Sequence, residues 1–170
     1  MKAEVWPSGF GYFDDLTWYQ APLVTPFTAT KGMPTRVIWS TSLPGVVTPY
    51  IYIALTEAEK FKGGVRNTID QTFAAGENTA PGVGYRTVAM TWDLTTLKVY
   101  VDGAVEATTG AVVGTVAGVT EQTIGAIRPG ITGHGFDDDI GDVIEWSRAL
   151  SAANVVAAHA QLKRLYPSLV

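Results

Sequence analysis

The chain has no cysteine in 170 residues, which excludes disulfide bridges, thiolate nucleophiles and cysteine-ligated zinc. Charge is scarce as well: Asp, Glu, Lys and Arg together make up 16% of the residues, with 12 basic against 16 acidic side chains and a formal net charge of −4. The nearest thing to a basic cluster is Lys60, Lys62 and Arg66, which reads as a solvated strand face. A nucleic-acid binder concentrates positive charge to neutralise phosphates, so nucleic acid is not an expected partner. Long apolar runs are missing too. No stretch approaches the roughly 18 residues that would span a bilayer, so no membrane segment is expected. The opening M-K-A-E-V-W-P-S-G-F interrupts any apolar run with Glu4, Pro7 and Gly9, so the chain reads as made in the cytoplasm without a signal peptide of its own. Histidine is limited to His134 and His159, and no serine joins either of them and a carboxylate in a nucleophile motif.

What remains is 46% hydrophobic residues, 18 Gly and 9 Pro, a mixture suited to many short strands and turns. At this length one domain, residues 1–170, is the simplest organisation. Its most legible stretch runs from Tyr85 to Glu106. Val88, Met90 and Trp92 alternate with Ala89 and Thr91, the period of two that sends side chains to opposite faces of a strand. Asp93 to Thr96 is a polar turn, Leu97, Val99 and Val101 restart the alternation, and Asp102-Gly103 supplies two positions suited to positive φ in a type I′ hairpin. This predicts a β-meander.

The run V-A-M-T-W-D-L-T-T-L-K-V-Y-V-D-G-A-V resembles the central hairpin of laminin G-like and pentraxin-like modules of the concanavalin A-like lectin/glucanase superfamily. Phe136 to Leu150, F-D-D-D-I-G-D-V-I-E-W-S-R-A-L, is similar to that family's closing strand, typically F-x-G-x-I-D-E-V-x-I-Y-x-R-A-L. Thr123-Ile124-Gly125 stands between them, where the family has a short strand ending in Gly. The resemblance implies an all-β, concanavalin A-like jelly-roll β-sandwich of two antiparallel sheets.

Elsewhere, Thr35 to Ser40 and Tyr50 to Leu55 read as strands, with Ser42 to Pro49 as the loop between them. Phe61 to Asp70 supplies another after a break at Gly63-Gly64, and Ala74 to Gly84 reads as a loop. Residues 1–30, rich in aromatics and prolines, suit short edge strands, and the first strand of a jelly roll pairs with the last. Ala107 to Thr120, nearly all Ala, Gly, Val and Thr, reads as an outer strand and loop or as an assembly contact. A short C-terminal helix follows, capped by Ser151 and ended by Pro167, with Val155, Ala158, Leu162 and Leu165 as its apolar stripe and His159 packed beside it.

Three constellations carry chemical content. Retaining hydrolases of the glucanase branch place E-x-D-x-x-E or a bulged variant along one strand, because nucleophile and acid/base must stand about 5 Å apart. Here Asp142 and Glu145 fill the last two positions, but Ile140 occupies the nucleophile's, so no catalytic residue is expected. Trp18, Tyr19, Tyr50 and Tyr52 are candidate glycan-stacking residues, since an aromatic face packs on the C–H face of a pyranose. Asp137-Asp138-Asp139 form a run of carboxylates whose repulsion needs a cation or hydrogen-bond donors, which makes them candidate Ca²⁺ ligands or an exposed acidic turn. Many family members hold Ca²⁺ at such a rim. This sequence has Asp138 and Gly141 where the family pattern has Gly and Asp, so the familiar site does not carry over residue by residue.

The expected role is that of a non-catalytic adhesive or structural module: a bacteriophage virion surface component such as a capsid decoration, fibre or tail part. Its expected partners are other virion or assembly proteins, further copies of itself and a surface glycan. The alternative is a stand-alone carbohydrate-binding, lectin-like module, and a glycoside hydrolase-like enzyme comes third.

Overall fold

The structure is a computed structural model that describes residues 16–19, 35–43, 49–56, 58, 60–66, 71–75, 84–109, 116, 118–127, 134–136 and 139–169. Ten strands and one helix lie within them. In chain order the strands are β1 (Leu16–Tyr19), β2 (Thr35–Ser42), β3 (Tyr50–Thr56), β4 (Phe61–Arg66), β5 (Gln71–Ala75), β6 (Val88–Trp92), β7 (Leu97–Val101), β8 (Ala104–Thr109), β9 (Glu121–Ile124) and β10 (Val143–Trp146); α1 (Ala152–Leu165) closes the chain. All strand pairings are antiparallel.

One layer is a five-stranded sheet in the order β5-β4-β3-β2-β9. The meander β6-β7-β8 packs over its β4–β5 side, and Leu55, Phe61 and Val65 meet Leu97, Val99 and Val101 in the main core. Leu97 and Val99 are fully buried, and burying one such side chain stabilises the fold by about 1.5–3 kcal/mol. The remaining ribbon, β1-β10, lies on the same side of the large sheet. Gln122 on β9 pairs with Thr41 and so shares a face with Ile51 and the main core, and its side-chain amide donates to the Glu145 carboxylate on β10. The expected union of the first strand with the closing strand is therefore observed, Leu16 opposite Trp146 and Tyr19 opposite Val143.

The meander turns follow the chemistry read from their residues. Asp102 and Gly103 have φ of 51° and 81°, the pair of positive values that a type I′ hairpin needs. In the preceding turn the Asp93 carboxylate accepts from the Thr95 and Thr96 backbone N–H groups (2.9 and 2.7 Å) and from the Thr95 hydroxyl (2.7 Å). These bonds, the Thr95 hydroxyl first, hold Asp93 below the usual carboxylate range and stabilise a turn in which Leu94 takes a φ of 73°.

Gly63 and Gly64 do not break a strand; they lie inside β4. A Cβ on Gly63 would sit 2.7 Å from Met90 Sδ and 2.9 Å from Val99 Cγ2, and one on Gly64 would fall on the Tyr52 ring, 2.5 Å from its hydroxyl oxygen. The glycines are there because a neighbour occupies the space on each face. β5 is a strand where none was expected, and it takes in Ala74 and Ala75 from the anticipated loop. β2 likewise runs on through Ser42.

Helix α1 begins as expected: the Ser151 hydroxyl accepts from the Asn154 N–H at 3.2 Å. Only Val155 of its stripe is buried, and Leu165 in the last turn is 49% exposed. The helix is fixed instead by a polar contact. His159 Nδ1 lies 2.7 Å from Thr87 Oγ1, Thr87 N–H donates to Asp102, and Asp102 is ion-paired with Arg86. With a positive φ at Gly103 and the His159 ring against it, the hairpin tip and the helix are built around each other.

Candidate functional site

Side chains alternate across a sheet, so the five-stranded sheet has a second face turned away from the main core. Tyr50, Tyr52 and Ala54 on β3 share it with their cross-strand partners Arg66, Gly64 and Lys62 on β4. On the other side the register adds Val37, Ser40 and Ser42 from β2, and Glu121 and Thr123 from β9. The face thus holds its own small apolar cluster, Val37, Tyr50, Tyr52 and Ala54 with Ile127 packed on it, surrounded by polar groups.

The polar groups are organised by the tyrosines. Their rings lie 5.6 Å apart at 52°, and each has a cation beside it: Lys62 Nζ is 5.8 Å from the Tyr52 ring centre and Arg66 Cζ is 5.8 Å from that of Tyr50. Arg66 also donates to the Tyr50 hydroxyl at 3.3 Å. Gly64, between the two cations, leaves the room that the Tyr52 ring fills. Burial pushes the Lys62 ammonium below its ordinary pKa, so an arriving anion meets a partly desolvated charge whose attraction water screens less. Arg66 is exposed. Towards β9, the Ser40 hydroxyl lies within hydrogen-bond distance of the Ala126 and Ile127 carbonyls (3.0 and 2.6 Å), whereas Ser42 Oγ and Thr123 Oγ1 are buried without partners.

The four aromatic candidates do not come together. Trp18 and Tyr19 lie on β1 in the opposite layer, while Tyr50 and Tyr52 lie on the face just described. Tyr50 and Tyr52 are 7% and 2% exposed, so their rings form the floor that seats two cations and present no open stacking surface. Lys62 and Arg66, read from sequence as a solvated face, are the groups that stand on that floor. The available signal was the alternation Lys62-x-Gly64-x-Arg66, which puts two like charges on one side of a strand with space between them.

Asp137 and Asp138 lie outside the described residues. Asp139 accepts from the Tyr85 hydroxyl at 3.3 Å and Asp142 from the Tyr166 hydroxyl at 2.5 Å, so tyrosine donors supply part of the compensation that the acidic stretch requires. Among the described residues, no three acidic or histidine side chains converge as a metal site. Asp142 precedes β10 and is exposed, whereas Glu145 lies within it, half-buried against Gln122. Burial raises the Glu145 pKa, partly offset by the Gln122 bond.

A laminin G family model, described as the concanavalin A-like lectin/glucanases superfamily, matches residues 28–156. Among solved structures, a leech intramolecular trans-sialidase complexed with 2,7-anhydro-Neu5Ac superposes with a TM-score of 0.61 at 21% identity over 74% of this chain. The chain spans only 21% of that enzyme's length. The CBM40 module of a Ruminococcus gnavus IT-sialidase, bound to α2,6-sialyllactose, matches with a TM-score of 0.57 at 18% identity, over 74% of this chain and 75% of the module. The same module bound to α2,3-sialyllactose matches equally well, at 0.57 and 18%, over 74% of each chain. No curated protein matches in sequence. These likenesses agree with the β-sandwich, and the family match extends over most of the chain. The protein belongs to the concanavalin A-like lectin/glucanases superfamily, within its laminin G family.

Proposed function

We propose that the protein is a non-catalytic, lectin-like module that binds a glycan carrying an acidic sugar at the Lys62 and Arg66 edge of the second face of the five-stranded sheet. The observation that carries this reading is the seating of Lys62 and Arg66 over Tyr52 and Tyr50. A guanidinium offers a planar fork of donors to a carboxylate or sulfate, and an ammonium nearby adds a point charge. In a chain of net charge −4, two cations on a shared aromatic floor form a local attraction for an anion. The likeness to sialidase modules bound to sialyllactose supports the same direction.

The non-catalytic half of the proposal rests on β10. Ile140 stands at the nucleophile's position of the E-x-D-x-x-E pattern, and an aliphatic side chain there cannot attack the anomeric carbon. Titration calorimetry with sialyllactose and with lactose tests the binding half. The acidic sugar binds and the neutral one does not, and Arg66→Ala lowers the affinity at least tenfold, about the 1.4 kcal/mol expected from one charge-assisted contact. An unaltered circular dichroism spectrum for Arg66→Ala keeps that loss attributable to the site. Failure of the wild-type protein to bind any member of a panel of acidic glycans would sink the reading.

A further inference from the structure

We infer that the acidic sugar is only half of what this face recognises, and that Ser42 and Thr123 form a second subsite over β2 and β9 for the hydroxyl groups of a neutral sugar linked to it. The inference rests on the acidic-glycan reading above. Ser42 is 1% exposed, and neither its Oγ nor the buried Oγ1 of Thr123 has a hydrogen-bond partner. A sealed, unpartnered hydroxyl is costly, and a folded chain ordinarily avoids it by pairing the group or replacing it with an apolar one. Here two occur on one face. Ser42 pairs with Glu121 and Ser40 with Thr123, so the two unpartnered hydroxyls are diagonal neighbours on adjacent strands.

The same register ties them to the cations. Glu121, Ser42, Tyr50 and Arg66 form one row across β9, β2, β3 and β4. From Ser42 to Arg66 is two inter-strand spacings, about 10 Å, the span of two linked sugar rings. The row has a carboxylate at one end and a guanidinium at the other. Repulsion from Glu121 and attraction to Arg66 orient an acidic glycan with its charged ring over β4 and its neutral neighbour over β2 and β9. Sugar hydroxyls both donate and accept, as do serine and threonine hydroxyls, so either direction of hydrogen bonding is available there.

Both hydroxyls are sealed from solvent without a polar partner. The chain leaving β9 crosses this face: the Ala126 and Ile127 carbonyls accept from Ser40, and the Ile127 side chain packs on the tyrosine cluster. A disaccharide reaches Ser42 and Thr123 by displacing what seals them. Hydroxyls unsatisfied beneath the cover become satisfied against the sugar, and this differential interaction is what allows a ligand to shift the equilibrium.

The test is calorimetric titration of 3′- and 6′-sialyllactose and of free sialic acid against the wild-type protein, Ser42→Ala and Thr123→Val, with thermal unfolding of each. The wild-type protein binds at least one sialyllactose more tightly than free sialic acid. Each substitution lowers that sialyllactose affinity about 3- to 10-fold and leaves free sialic acid unaffected. Tm stays level or rises by a few degrees in both variants, because a buried unsatisfied hydroxyl has been removed. Unchanged sialyllactose affinity in both variants overturns the subsite, as does a loss of affinity accompanied by a falling Tm, which marks a packing role. Equal wild-type affinity for sialyllactose and sialic acid overturns the subsite alone, whereas binding of neither removes the acidic-glycan reading and the subsite together.

Discussion

Replacing Gly64 by alanine tests how the candidate face is built. The added Cβ falls on the ring of Tyr52, a side chain only 2% exposed, so the methyl cannot be accommodated by a small rotation towards solvent. Forcing a methylene into a packed region costs about 1–3 kcal/mol. Losing glycine's freedom in the unfolded chain returns about 0.4–1 kcal/mol. Because the obstacle is a rigid aromatic ring, the cost lies at the upper end, and the net destabilisation is about 2 kcal/mol. At a chain length of 170 this corresponds to a fall in Tm of about 4–8 °C. Gly63→Ala is the internal control. There the nearest atom is Met90 Sδ at 2.7 Å, the end of a flexible thioether side chain, and only the Val99 methyl at 2.9 Å resists, so the net cost is about 0–1 kcal/mol. Urea titration followed by tryptophan fluorescence, with 5 tryptophans as reporters, gives both values, and calorimetry checks them. Moving Tyr52 also moves the floor beneath Lys62, so Gly64→Ala weakens glycan binding and Gly63→Ala does not. A Gly64→Ala protein within about 0.5 kcal/mol of wild type, or more stable than Gly63→Ala, would refute the account of why glycine stands at both positions.

Two further substitutions read other parts of the fold. Ser151→Ala removes the acceptor for the Asn154 N–H and costs about 1 kcal/mol, seen as a fall in Tm and increased hydrogen exchange in the first turn of α1. Glu145→Gln tests the buried carboxylate. Its folded pKa is raised, so its contribution to stability is complete below the unfolded value of about 4.3 and is lost as pH rises through the folded pKa. The wild-type protein therefore loses stability across that window relative to Glu145→Gln, whose stability in the same range is flatter. Parallel pH profiles for the two proteins would contradict the desolvation assigned to this side chain.

The meander was legible because its information is local. Asp93 accepts from residues two and three positions away, and Asp102-Gly103 turns the chain on the φ preferences of two adjacent residues. Gly63-Gly64 misled for the complementary reason. Read locally, two glycines are punctuation, but what requires them is a methionine, a valine and a tyrosine delivered by other strands. The acidic stretch shows the same asymmetry. The charge of Asp139 and Asp142 was visible in one line of sequence, whereas the tyrosines that bond to them stand 54 and 24 residues away. The virion expectation rests on a stand-alone jelly roll, a missing export signal, missing cysteines and the small-residue stretch Ala107 to Thr120, and none of these identifies a partner.

The candidate site was hidden by the property that makes it a site. In sequence Tyr50 and Arg66 belong to two unrelated features and Glu121 and Ser42 to none, and only the antiparallel register aligns the four as one row. Binding residues commonly stand on loops where a rigid scaffold presents its connections. Here the polar groups stand on the sheet itself, where neighbouring strands hold side chains about 5 Å apart in one plane. Loops adjust to a ligand, but a strand face keeps its spacing, and a repeating sugar is a ligand whose functional groups also recur at fixed intervals. That match of two rigid periodicities is what favours the sheet face as the surface for the proposed glycan.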